Sequence, residues 1–135
     1  MKKLFYTFAL AIGLCACEKE NNAADFSGTY TGTFNTIIAG KMHVEPAELV
    51  LQRPGFNMTK GPKFSSGNFE VKDKMRINFT DTNVWPANFD FNLVLNGTYK
   101  YEALGDSLIL TKMLPIENPS STLMHYQYRL KRSPK

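Results

Sequence analysis

From Asp25 to the end of the chain, apolar and polar residues alternate with a period of two. Successive side chains of an extended chain point to opposite faces, so this period gives each segment one apolar face and one polar face. Tyr30, Gly32 and Phe34 alternate with threonines in 27–34. Leu49 and Leu51 share a side in 47–53, as do Phe69 and Val71 in 67–71. After a Lys72-Asp73-Lys74 turn, Met75, Ile77 and Phe79 repeat the pattern. Phe89, Phe91, Leu93 and Leu95 form the longest such run, followed by Tyr99 and Tyr101, by the segment 107–112, and by Met124, Tyr126, Tyr128 and Leu130. Helical spacing is nearly absent. The alternation predicts seven or eight strands. Asn96-Gly97 is the pair favoured in two-residue hairpin loops, which predicts a tight turn between 89–95 and 98–102.

Strands joined by short connections pair as neighbours, giving an antiparallel meander. Its apolar face must be covered, and no helical segment is present to do so. Closure into a small barrel over residues 26–133 covers that face and removes the exposed edges. A two-sheet β-sandwich is the alternative.

The start of the chain is different. Met1-Lys2-Lys3 is a short basic head, followed by an uncharged apolar run from Leu4 to Gly13. A membrane-spanning helix needs roughly 20 apolar residues, so this run reads as an export signal. Leu14-Cys15-Ala16-Cys17 resembles the lipobox of bacterial lipoproteins. That resemblance implies removal of residues 1–16 and a diacylglycerol on the Cys17 thiol, with further acylation, such as palmitate, at the new N-terminus. Cys15 fits less well, because bulky Leu14 precedes it where small Ala16 precedes Cys17. Two or three acyl chains anchor a protein far more firmly than one.

Residues 17–25 then read as the lipidated N-terminus and a polar tether. The Glu18-Lys19-Glu20 tract is similar to surface-export signals of some Gram-negative anaerobes. The resemblance implies attachment to the cell envelope, at the outer membrane, on a face left open.

Removing the first sixteen of 135 residues leaves 119, enough for one domain with its own core. With Cys15 removed and Cys17 acylated, no disulfide can form. The formal charge of +4 includes Lys2 and Lys3, so the exported chain carries about +2. The remaining basic cluster, Arg129, Lys131, Arg132 and Lys135, suits a solvated tail or loose contact with anionic lipid or polysaccharide. An exported chain does not meet nucleic acid.

Asp25-Phe26-Ser27-Gly28-Thr29-Tyr30, with an arginine on the last strand, resembles the opening and closing of lipocalin-like barrels. There a Gly-x-Trp on the first strand packs under an arginine near the end. The resemblance implies that Arg129 or Arg132 stacks on Tyr30. Tyrosine replaces tryptophan, and Thr80-Asp81-Thr82 stands in place of the family's Thr-Asp-Tyr. The resemblance therefore speaks for barrel architecture and not for ligand transport.

Chemistry-bearing motifs are sparse. His43 and His125 share no motif, and His43, Glu45 and Glu48 make at most a loose loop cluster, short of a metal site. There is no Gly-x-Ser-x-Gly elbow and no phosphate-binding glycine pattern. The expectation is a non-enzymatic protein without cofactor or metal. Trp85, beside Pro86 in a connection rich in turn formers, is either a recognition element at the barrel rim or a plug folded inward. Tyr30, Phe91, Tyr99, Tyr101, Tyr126 and Tyr128 either line a ligand cavity or fill the interior, and the small size of the chain favours filling. Asp106-Ser107-Leu108 resembles an acceptor sequence for O-glycosylation at Ser107. The expected function is a membrane-anchored binding or interaction module of the envelope, whose partner is a small apolar ligand, a glycan or an envelope protein. An envelope hydrolase or enzyme inhibitor is the alternative.

Overall fold

A computed structural model describes residues 25–115 and 124–135 and shows an all-β chain. Its eight strands are β1 (Gly28–Ile38), β2 (Lys41–Gln52), β3 (Gly55–Lys60), β4 (Ser66–Val71), β5 (Arg76–Asp81), β6 (Gly97–Leu104), β7 (Ser107–Lys112) and β8 (His125–Arg132). Each pairs antiparallel with the next, and β8 returns to β1, from Tyr30 opposite Arg132 to Ile37 opposite His125. The expected meander barrel is therefore closed. The sandwich alternative is ruled out by the β1–β8 seam.

The strand count agrees with the sequence pattern, but two segments exchange places. Residues 89–95 are not a strand: Phe91–Leu93 form one turn of 3-10 helix, capped by the Asp90 side chain, which accepts from the Asn92 N–H. Asn96-Gly97 consequently does not close a hairpin. Asn96 instead turns its side-chain oxygen to the Asp81 N–H, and Gly97, at φ +92°, starts β6. The strand that replaces 89–95 is β3, where Phe56 and Met58 face inward between Pro54 and the Gly61-Pro62 turn.

The β1 and β2 strands also run further than the alternation suggests. They meet in a two-residue turn at Ala39-Gly40, both at positive φ, as the twist of a hairpin requires.

Every strand sends alternate residues inward. Rings make contact across the interior in a continuous series from β3 to β1: Phe56 to Phe79 (5.2 Å between centroids), Phe79 to Tyr99 (5.6 Å), Tyr99 to Tyr128 (6.3 Å) and Tyr128 to Phe34 (4.5 Å). Leu49, Leu51, Met58, Ile77, Leu108 and Leu110 are fully buried around them. At this level the interior is filled by side chains. The core among the described residues is drawn from Phe26 to Leu130.

The chain enters at one end, the proximal end, where Phe26 packs edge-on against Tyr101 at 5.1 Å. The Tyr101 hydroxyl donates to the Asp73 carbonyl. Arg132 locks the same end. Its Nε and Nη2 both reach the Tyr30 hydroxyl, at 3.0 and 2.6 Å, and Nη2 also donates to the Asp25 carbonyl. Of the two candidate arginines it is Arg132 that meets Tyr30. The guanidinium carbon lies 5.2 Å from the ring centroid, so hydrogen bonds to the hydroxyl carry most of the contact and attraction to the ring adds to it. Arg129 points outward and donates to Gln127.

Candidate binding surface

The opposite, distal end is formed, among the described residues, by the Ala39-Gly40 hairpin, residues 61–65, residues 82–96 and the ends of β7 and β8. The segment 82–96 is the longest described connection and contains no strand. Connections of this length within a compact domain are usually functional. It crosses the barrel end and brings Leu95 into the core, while Val94, adjacent in sequence, is also buried without joining that core. Two successive buried residues do not fit a strand with one exposed face, and this segment leaves the sheet.

Polar side chains hold the segment to its neighbour. Asp81 accepts from the Ser66 N–H with one carboxylate oxygen and from the Trp85 indole N–H with the other. The Thr82 N–H donates to the Ser66 carbonyl at 2.9 Å, and the Asn83 side chain donates to the Phe64 carbonyl. Trp85, half-buried, stacks on Phe89 at 4.7 Å; Phe89 meets Phe91 edge-on at 5.8 Å, and the Lys63 ammonium sits 5.0 Å over Phe89. The result is a fixed aromatic row on the outside of the barrel end. Apolar residues on the same loops are left in water: Val84 (97% exposed), Phe64 (68%) and Phe91 (50%).

Beneath the 3-10 turn, Lys112 faces inward between the Tyr99 ring, 5.7 Å away, and the Phe91 carbonyl, to which it donates at 3.3 Å. Burial holds its ammonium below the ordinary lysine range, partly opposed by the charge of Asp90. Burial also raises the Tyr99, Tyr126 and Tyr128 hydroxyls above the ordinary tyrosine value, with the Asp90 charge adding to the effect at Tyr126.

The residues expected at a ligand site are thus divided. Trp85 and Phe91 lie on the distal surface, and Tyr99, Tyr126 and Tyr128 lie beneath it. Tyr30 and Tyr101 belong to the proximal end. Ser107 is exposed just after the Gly105-Asp106 turn. His43 and Glu45 are exposed on β2, and Glu48 accepts from the Thr59 hydroxyl at 2.6 Å. Among the described residues no three histidine, cysteine or acidic side chains come together as a metal site would require. Cys17 and the other N-terminal features lie outside the described residues.

Sequence reasoning missed Lys112, Asp81, Phe64 and Val84, because their roles depend on which loops meet at the barrel end. The adjacent apolar pair Val94-Leu95 was a readable signal, since it breaks the alternation.

Away from this end, an open groove of about 680 Å³ crosses the outside of β5, β6 and β7 between Met75 and Met113. Of its basic residues Lys74, Arg76, Lys100 and Lys112, Arg76 pairs with Asp73 and Lys100 with Glu102. No protein-family model, curated protein or solved structure matches this chain, so its function rests on the chemistry of its surfaces.

Proposed function

We propose that this protein is a non-enzymatic lipoprotein of the bacterial envelope, tethered to the outer membrane through Cys17, whose distal barrel end docks a partner protein. The observation that carries this reading is the set of exposed apolar side chains Phe64, Val84 and Phe91 on the loops that hold the Trp85–Phe89 row at the distal end. Exposed apolar groups scattered singly carry no meaning, but a group held together by fixed loops marks an interaction site. The ring contacts across the barrel support a role for the surface over one for an open interior cavity. The hydrogen bonds among Asp81, Ser66, Asn83 and Trp85 fix the loops in advance, which lowers the ordering cost of binding.

Two measurements test the two halves of the proposal. Metabolic labelling with a palmitate analogue should mark the wild type and not Cys17→Ala; equal labelling of both would remove the anchor from the reading. A photo-crosslinking residue placed at Val84 or Phe91 should give a discrete protein adduct in intact cells, and one at Leu104, exposed at the proximal end, should not. Equal adduct patterns at both ends would overturn the docking assignment.

A further inference from the structure

We propose that the groove outside β5, β6 and β7 binds an anionic amphiphile, a single unbranched alkyl chain ended by one acid group. The tail lies between Met75 and Met113 and the head meets the Lys74 ammonium. The site is on the outer wall of the barrel and does not depend on docking at the distal loops.

Strand register builds the groove. Arg76 on β5 stands opposite Lys100 on β6, and Lys100 stands opposite Thr111 on β7, so the three form one row across the wall. The row faces outward, because the chain neighbours Ile77, Tyr99 and Leu110 are buried in the core. Met75 lies on the proximal side of this row, where the 72–75 turn enters β5, and Met113 lies on its distal side, where β7 ends. Both are tied to the middle strand: the Met75 carbonyl accepts from the Tyr101 N–H at 2.8 Å, and the Met113 N–H donates to the Thr98 carbonyl at 2.9 Å. Two methionines, 57% and 50% exposed, thus mark the ends of an oblique trough of about 680 Å³ whose backbone is set in advance.

The lining is almost wholly carbon. It comes from the two methionines and from lysine and arginine stems, which cover apolar surface while their charged ends stay in water. A concave, mostly apolar surface of this size with few polar groups is what small-molecule sites share. Methionine, unbranched and polarizable, adapts its shape to a flexible tail.

Charge selects the head. Asp73, the carboxylate of the lining, is neutralised in place: it accepts from the Arg76 Nε at 2.7 Å and from the Met75 and Arg76 N–H groups at 2.8 Å, with the Arg76 Nη2 at 2.6 Å. Lys100 pairs with Glu102 at 3.3 Å, and Lys112 turns its ammonium inward to the Phe91 carbonyl. Lys74 is left exposed, with no ion pair to its ammonium among the described residues. One unanswered ammonium beside an apolar trough is complementary to one acid group on an apolar chain. An acidic polymer would need a longer run of free cations.

The test follows isotope-labelled methionine methyls of the full chain by NMR, in phosphatidylcholine nanodiscs, as octanesulfonate, octanol or octyltrimethylammonium is added. The three share one tail and differ in head. Octanesulfonate should shift the Met75 and Met113 methyls saturably and leave buried Met58 in place. Octanol should bind about fivefold more weakly, the upper worth of an exposed ion pair, and octyltrimethylammonium more weakly still. Lys74→Glu should weaken the sulfonate at least about tenfold, because attraction becomes repulsion, and leave octanol unchanged. Met113→Ser, read at Met75, should weaken sulfonate and alcohol alike. Both substitutions are at exposed positions, where folding tolerates them. The absence of a saturable shift with the sulfonate overturns the proposal, as does equal binding of the sulfonate and the ammonium, or a sulfonate affinity untouched by Lys74→Glu. Shifts that follow protein concentration alone would give the groove to a second copy of the chain. Shifts produced by phosphatidylglycerol in the nanodisc, without sulfonate, would give it to a membrane surface. Either result also overturns the proposal.

Discussion

The two ends of the barrel are built to opposite specifications. At the proximal end the connections are short, two residues at 53–54, four at 72–75 and two at 105–106, and Arg132, Tyr30, Asp25, Phe26 and Tyr101 bind one another closely. At the distal end two connections are long, apolar side chains face water, and a non-strand segment crosses the opening. The difference teaches where this chain places stability and where it places recognition. Short turns and a part-buried latch secure the seam at the proximal end, and the distal end carries the exposed apolar surface.

Variants that distinguish the ends make the contrast measurable. The largest effect belongs to neither end: Phe79→Ala breaks the ring series at its middle and should cost about 3–5 kcal/mol in urea unfolding. A loss under about 1 kcal/mol would show that the interior is loosely packed. Next, Arg132→Ala should cost about 2–3 kcal/mol by removing bonds to Tyr30 and Asp25, and Arg132→Lys should recover only part of it. At the distal end, Asp81→Ala should cost about 1–2 kcal/mol and red-shift Trp85 emission, since both the Ser66 and Trp85 donors lose their acceptor. Smallest of all, Val84→Asp with Phe64→Asp should change stability by no more than about 0.5 kcal/mol while abolishing the crosslink at the distal surface. Distal substitutions that unfolded the protein as Arg132→Ala does would erase the contrast.

Alkaline pH sharpens it from another direction. Tyr99 and Tyr128 ionise in the unfolded chain near the ordinary tyrosine value, and burial raises both above it in the fold. Above about pH 10 the unfolded state therefore holds fewer protons than the native state, so stability is complete below that pH and falls as pH rises further. Circular dichroism across pH 8–12 should show this loss, and Tyr99→Phe with Tyr128→Phe should delay it.

Much of the architecture was legible because alternation is a local signal with a global meaning: strands with one apolar face and short turns lead to a closed meander. The pairing of Tyr30 with an arginine of the last strand was legible as well, through a family resemblance. The errors have one physical source. Phe89, Phe91, Leu93 and Leu95 alternate as a strand does, yet Asp90 caps a 3-10 turn there and Val94 is buried next to Leu95. Alternation cannot distinguish a strand face from a surface row such as Trp85, Phe89 and Phe91, which packs against itself. The short β3 was overlooked between its proline and glycine neighbours. The distal surface was not legible at all, because Phe64 and Val84 lie twenty residues apart and come together only through bonds such as Asn83 to Phe64.

The β1–β8 seam also bears on when the protein can exist in folded form. Tyr30 and Arg132 are 102 residues apart, so the pairing that closes the wall joins the first strand of the barrel to its last. Contacts of such long range place a chain among the slower folders, from milliseconds to seconds. A chain with this seam becomes a barrel only once β8 is free to pair with β1. A product cut short before His125 would lack the closing strand and present its unpaired edges to proteases.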